Sequence, residues 1–269
     1  MKPVRLVNVM ANRDRLLTPL YRLYEGRLER DLNPEVVPRH IGIILDGHRR
    51  YARSEGLPDY TASYRVGMRK FEEFLGWAHD LSVPAITGWL LSTHNLQRPA
   101  EELQPYFEVL IELFDRLPQL AIKQDMAVRF IGSLDLLPPE LVNAAKTLEE
   151  RCSEGARRLT MAVGYGGRQE IVDAVKELVA DLVNEGTAPA EVADHIDIDS
   201  VQAHLYTAGL PDPDLVIRTS GESRLSGFLL WQSAYAEYVF VDVYWPAFRR
   251  VDFLRSVRDF ARRERRFGK

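Results

Sequence analysis

Six short apolar runs punctuate the chain: IGIIL (41–45), AITGWLL (85–91), AVRFI (127–131), LTMAV (159–163), DLVIR (214–218) and YVFV (238–241). They are rich in β-branched residues, and none alternates apolar with polar. That is the pattern of strands buried on both faces, as central parallel strands are. Between them the period changes. Tyr64, Met68, Phe71, Leu75 and Ala78 recur at four-three-four-three spacing, and Ile171, Val175, Leu178 and Leu182 form a second stripe. Phe253, Val257 and Phe260 open a third, with Asp252 as its expected N-cap. Strand and helix alternating over the whole length predict an α/β fold. It is one mostly parallel sheet of about six strands, covered by helices on both sides.

There is no internal repeat and no long linker; NEGTAPAEVADHIDIDS (184–200) is loop-like but short. Residues 1–35 read as a helical extension, with Leu16, Leu20 and Tyr24 on one face packed against the body formed by 36–269. Composition changes little: 269 residues, 46% hydrophobic and 28% charged, is an ordinary globular balance. The single cysteine, Cys152, excludes a disulfide framework or a cysteine-built zinc site and points to a reducing compartment. No run approaches about 18 apolar residues, and the N-terminus lacks a signal-type apolar core. The expectation is a cytoplasmic protein, with peripheral contact at a membrane face left open. The net charge of −4 argues against a nucleic-acid partner. The basic stretch 249–269, nine Arg/Lys against three acids, reads as a solvated helix face.

Three charged clusters follow apolar runs: Asp46-Gly47-His48-Arg49-Arg50, STHNLQRP (92–99) and RTSGESRLSGF (218–228). In open α/β sheets ligands sit at the carboxyl ends of strands, so the clusters are expected on one rim. Arg49, Arg50, Arg98, Arg218 and Arg224 would repel one another there unless an anion lay among them. Guanidinium is suited to phosphate oxygens. Asp46 among phosphates makes sense if a divalent cation intervenes, since Mg²⁺ uses one or two carboxylates plus phosphate oxygens. Glu237 is a candidate second acid, although spacing alone cannot bring it to Asp46. Asp46 could instead be a helix N-cap. There is no GxxxxGK[ST] loop and no Asp-Asp pair, and GYGGR (164–168) is not GxGxxG.

HIGIILDGHRRYA, LLSTHNLQRP, GYGGRQEIVDAV, DLVIRTSGESRLSGFLLWQSAYAEYVF and the terminal RERRFG, taken together, resemble the cis-prenyltransferase family from about Arg39 onward. The resemblance implies one catalytic domain with an apolar tunnel, working as a homodimer. It implies Mg²⁺-dependent addition of isopentenyl diphosphate to an allylic diphosphate, with a new Z double bond. Asp46 then handles the allylic diphosphate and Mg²⁺, and Glu237 completes the metal site. Gly47, His48, Arg49, Arg50, Tyr51 and Tyr64 fall on the allylic side. Ser92, Thr93, His94, Asn95, Leu96 and Arg98 fall near the reacting carbons. Arg218, Arg224, Leu225 and Ser226 hold isopentenyl diphosphate, and Arg266 and Gly268 reach into the partner's site. His48 stands where the family usually has Asn, His94 where it usually has Glu, and Tyr64 where long-chain members carry His. The proton acceptor could be Asn95 with Ser92, a diphosphate oxygen or His48. Leu90, where long-chain members carry alanine, implies early termination and a short product such as Z,E-farnesyl diphosphate from geranyl diphosphate. The alternatives are a long-chain synthase, a head-to-middle condensing relative, a non-catalytic partner subunit and a nucleic-acid module built on the basic stretch 249–269.

Overall fold

His40–Ile44 (β1) is buried along its whole length, and so are seven of the eight residues of Ala85–Ser92 (β2). Met126–Ile131 (β3), Arg157–Tyr165 (β4), Leu215–Arg218 (β5) and Glu237–Phe240 (β6) complete a six-stranded sheet of order β3-β4-β2-β1-β5-β6. Every pairing is parallel. All six predicted strands form, and β6, exposed along one edge, is the least buried. This computed structural model describes residue 21, residues 23–33 and residues 36–263.

The predicted stripe from Tyr64 to Ala78 is the buried face of Tyr60–Asp80. Asp59 caps that helix, its carboxylate accepting from the Ala62 amide at 3.1 Å. The helix packs beneath Ala100–Lys123, and with Arg250–Arg262 it builds one face of the core. Phe74 meets Trp245 and Phe253 edge-on at 5.9 and 5.2 Å. One expectation is corrected here. The C-terminal helix is capped by Arg249, not Asp252. A turn at Trp245–Ala247 leaves the chain extended at Arg249, so the helix starts earlier than the apolar stripe suggests. Asp252 occupies the third helical position, reaching back to the Arg249 amide at 3.2 Å and to its guanidinium at 3.0 Å.

Residues 23–31 are helical and lie on this C-terminal helix, with Arg250 on Glu29 at 2.6 Å and Leu28 and Leu32 in the core. Leu16 and Leu20 lie outside the described residues. No described helix is long and apolar enough to cross a membrane.

The topology fixes the site. The chain leaves β1 for β2 on one side and leaves β5 for β6 on the other. Such a reversal opens a crevice at the carboxyl ends of the strands. Ile44 pairs with Arg218 there, so Asp46 and Arg218 emerge side by side.

Candidate active site

Gly47 turns the chain out of β1 at φ 108°, a conformation glycine adopts freely. A Cβ there would meet Tyr244 Cδ1 at 2.8 Å and Ser220 Cβ at 3.1 Å. His48–Ser54 then forms a short helix carrying Arg49 and Arg50. Asp46 makes no helix-capping bond. Its carboxylate instead accepts from Arg218 Nη2 at 2.7 Å and Arg50 Nη2 at 3.3 Å. Burial pushes the Asp46 carboxyl up, but the Arg218 hydrogen bond and charge, with Ser220 and Arg50, hold it below the ordinary carboxylate value.

The arginine crowd converges, and part of its charge is met by acids the sequence did not single out. Arg50 also binds Glu222 at 2.9 Å and the Ser220 hydroxyl at 2.7 Å. Arg224 lies on the same Glu222. Arg98 and Arg49 share Glu102 at 3.1 and 3.6 Å. Five guanidiniums thus face three carboxylates (Asp46, Glu102 and Glu222), and the rim keeps a positive surplus.

Two adjoining cavities open at this rim. The first, about 350 Å³, is lined by Asp46, Gly47, Arg49 and Arg50 at its mouth and by Leu90, Tyr64 and Tyr106 deeper in. The second, about 270 Å³, has Arg218, Ser226, Ser92 and His94 on its walls. Leu45, Asp46, Leu90, Asn95 and Arg98 line both, so they form the junction. Arg218 is buried and donates to Ser226 Oγ at 2.8 Å and to the Arg224 carbonyl. Ser92 Oγ donates to Asn95 Oδ1 at 2.8 Å, orienting the amide at the junction.

Three buried polar atoms without a protein partner belong to residues on these walls: His48 Nε2, Trp89 Nε1 and Arg218 Nε. Orphaned buried groups are costly, and these three are enclosed in the walls of the double cavity. His48 lies against Gly67 and edge-on to Tyr64 at 5.5 Å. Burial pushes its imidazole down to about 4, although the Ser63 carbonyl and the Asp46 charge favour the cation. It is therefore neutral at pH 7. Nδ1 donates to the Ser63 carbonyl at 3.3 Å, which leaves the lone pair on Nε2.

Several expected residues stand back. Tyr51, Thr93, Leu96, Arg224 and Leu225 line neither cavity. Leu96 packs on the main core and Leu225 on the cluster around Trp89 and Phe228. Arg266 and Gly268 lie outside the described residues. The expectation that Glu237 shares a metal ion with Asp46 fails within one subunit. Glu237 opens β6 opposite Leu215, whereas Asp46 follows the Ile44–Arg218 end. Three residues of strand rise, about 10 Å, separate those levels, and β5 lies between. Glu237 pairs with Arg263 instead. Sequence reasoning missed Arg53, Glu102, Tyr106 and Glu222, of which Glu222 alone lay inside a motif already read as ligand-binding.

The loop from Arg218 to Phe228 is anchored from behind. Buried Glu170 accepts from Tyr165 and, at 2.9 Å, from Gln232, which also donates to Thr207 Oγ1 at 2.8 Å. Gly167 N donates to the Gly227 carbonyl at 2.8 Å. Burial raises the Glu170 carboxyl, and its hydrogen bonds only partly offset that. Its folded value lies above its unfolded one, so its contribution to stability is complete below the unfolded carboxyl value and fades as pH rises through the folded value. Glu170→Gln is expected to remove that loss, giving a flatter plot of denaturation midpoint against pH above about 4.5. An unchanged slope would show that Glu170 titrates alike in both states.

Residues 44–268 match the prenyltransferase family model described as undecaprenyl diphosphate synthase. The chain belongs to this family. It is 50% identical over 256 residues to a (2Z,6E)-farnesyl diphosphate synthase of Thermobifida fusca, covering 94% of this chain and 98% of that protein. It is 46% identical to a short-chain Z-isoprenyl diphosphate synthase of Mycobacterium bovis, covering 95% and 98%. The fold resembles the lavandulyl diphosphate synthase of Lavandula x intermedia, solved with dimethylallyl diphosphate. That likeness has TM-score 0.82 and 32% identity over 87% of this chain and 100% of that one. As a prenyltransferase-family protein, the chain presents its double cavity at the switch point of the sheet.

Proposed function

We propose that the protein is a short-chain cis-prenyltransferase joining isopentenyl diphosphate to a short allylic diphosphate, geranyl diphosphate foremost, to give Z,E-farnesyl diphosphate. The observation that carries this is the pair of cavities meeting at Asp46 and Asn95, one with Arg49 and Arg50 of its own and the other with Arg218. The names of relatives at 46–50% identity support the short product.

The allylic diphosphate enters the first cavity against Arg49 and Arg50. Isopentenyl diphosphate enters the second against Arg218 and Ser226. Carbon–oxygen cleavage builds negative charge on the leaving diphosphate, which the preoriented guanidiniums stabilise. The carbon end is sheltered from water by Leu45, Leu90, Tyr64 and Tyr106. The isopentenyl double bond attacks, and C2 then loses a proton. Asn95 with Ser92, a diphosphate oxygen and neutral His48 all remain candidates to take it.

One carboxylate at the mouth, with substrate oxygens completing the shell, suits the way Mg²⁺ is commonly held, so Asp46 would hold it. The described residues contain no cluster of three His, Cys, Asp or Glu side chains for an all-protein cage. Mg²⁺ bound there would neutralise charge developing on the diphosphate. The homodimer, the reach of Arg266 and Gly268 into the partner, and a cytoplasmic location with peripheral membrane contact belong to the same reading.

The test is direct. Pure protein is incubated with Mg²⁺, labelled isopentenyl diphosphate and, separately, dimethylallyl, geranyl or farnesyl diphosphate, and the products are chromatographed. Geranyl diphosphate is expected to give a fifteen-carbon product. Product from dimethylallyl diphosphate without isopentenyl diphosphate would favour head-to-middle condensation, and no product in any lane would overturn the proposal.

A further inference from the structure

Ile131 and Ala162, at the rim end of β3 and β4, are covered by the cluster around Trp89 and Phe228. Toward the start of the same strands that cover stops. Residues paired in register share a face, so Ala127 with Arg158, and Arg129 with Thr160, stand below Ile131 and Ala162 on that face. Alanine and threonine are too short to fill the space beneath the 208–210 loop. A hollow of about 350 Å³ remains, as large as the first substrate cavity and sharing no residue with either one. Thr160 lies five residues before Tyr165, which pairs with Ser92 of the second cavity. About 17 Å of strand therefore separates the hollow from the rim.

The lining is suited to an anion. Arg129 is the exposed residue of β3, and Arg158 is exposed on β4. Two residues of rise and one strand spacing put their Cα atoms about 8 Å apart, so both guanidiniums can reach one tetrahedral anion. Among the described residues neither is ion-paired. Arg129 donates to the Ala208 carbonyl at 3.3 Å and Arg158 to the Gly155 carbonyl at 2.6 Å, which leaves further N–H donors on each. Glu149 is the acid on the lining, and one of its oxygens is taken by the Phe130 amide at 3.0 Å at the sheet edge. Two cations against one acid leave a positive surplus. Thr160, 1% exposed, lies on the floor and has no side-chain hydrogen bond among the described residues, although buried hydroxyls are ordinarily paired. Ala127 and Leu210 add apolar surface.

We propose that this hollow is a second anion site, separate from the catalytic cavities, which takes a small soluble phosphate ester between Arg129 and Arg158 over Thr160. Guanidinium matches phosphate oxygens in geometry and charge, and the volume is that of a small-molecule site. The hollow is roofed by Ala208, whose neighbour Thr207 accepts from Gln232, the partner of Glu170. The bound ester thus lies next to the anchor of the Arg218–Phe228 loop.

Equilibrium dialysis with radiolabelled pyrophosphate counts the anion sites of the full chain, catalytic cavities included. The double variant Arg129→Gln/Arg158→Gln is expected to bind one equivalent fewer per chain than wild type, with an unchanged circular dichroism spectrum. Arg129 also ties down the Ala208 carbonyl. If the double variant does not fold, Arg158→Gln alone carries the comparison, and it is expected to weaken that one equivalent at least tenfold. Unlabelled phenyl phosphate is expected to displace the arginine-dependent equivalent at a lower concentration than inorganic phosphate does, because its ring gains the Ala127 and Leu210 surface. Equal counts and affinities in wild type and the folded variants would overturn the proposal. Phenyl phosphate displacing less well than inorganic phosphate would overturn the ester assignment. Co-sedimentation of wild type with phosphatidylglycerol vesicles, lost in the arginine variants, would assign the phosphate to a lipid headgroup and overturn the soluble ligand.

Discussion

Asp46→Asn is expected to lower kcat/KM by about a thousandfold or more, equivalent to roughly 4 kcal/mol of lost transition-state stabilisation. The side chain stands at the junction of both cavities and takes the buried Arg218 at 2.7 Å and Arg50 at 3.3 Å. An amide keeps its shape but not its charge. Two guanidiniums lose the anion that aims them, and the mouth loses its carboxylate charge. Because Asp46 is partly exposed and Arg218 keeps Ser226 and the Arg224 carbonyl, the stability cost stays near 1–2 kcal/mol. The effect is therefore read in steady-state kinetics on protein shown to be folded by its unchanged circular dichroism. Activity within tenfold of wild type would remove Asp46 from the chemistry.

Trp245→Ala should be the most damaging single truncation of the core. The side chain is fully buried, stacks on Phe248 at 5.5 Å, meets Phe74 edge-on, and donates its indole N–H to the Gly67 carbonyl at 2.8 Å. Its backbone amide holds the Asp46 carbonyl at 2.9 Å, so the residue joins the core to the reactive loop. Large aromatic truncations cost about 3–5 kcal/mol, and at this chain length that means a melting temperature lower by roughly 10 °C. Trp245→Phe keeps ring packing and loses the hydrogen bond, and is expected to cost about 1–2 kcal/mol. Thermal denaturation of the pair separates packing from hydrogen bonding. A fall of less than about 3 °C in the alanine variant would mean that the site collapses around the void.

What the sequence made legible follows from which forces act locally. Strands β1, β2 and β5 are buried on both faces, so each shows as a mostly apolar run, and strand ends imply where side chains such as Asp46 and Arg218 emerge. The convergence of Arg49, Arg50, Arg98 and Arg218 was readable on that basis. The position of Glu237 was not. A residue at the start of a strand and one just past the end of another look equally close to a strand in sequence, and register alone puts them at opposite levels. Glu102 and Glu222 were invisible for another reason. Each also pairs locally, with Arg98 and Arg224, but the pairs with Arg49 and Arg50 span 53 and 172 residues of chain and leave no periodic mark, so the cation excess on the rim was overcounted. The Asp252 cap was misplaced because a three-residue turn before it shifts the helix start without altering the apolar stripe.

The ion pairs already present on the rim make substrate capture an exchange rather than a simple filling. An arriving diphosphate must win Arg50 and Arg218 from Asp46, so the aspartate is relinquished only in a loaded subunit. With the rim empty, the Asp46 carboxylate stays paired with Arg50 and Arg218.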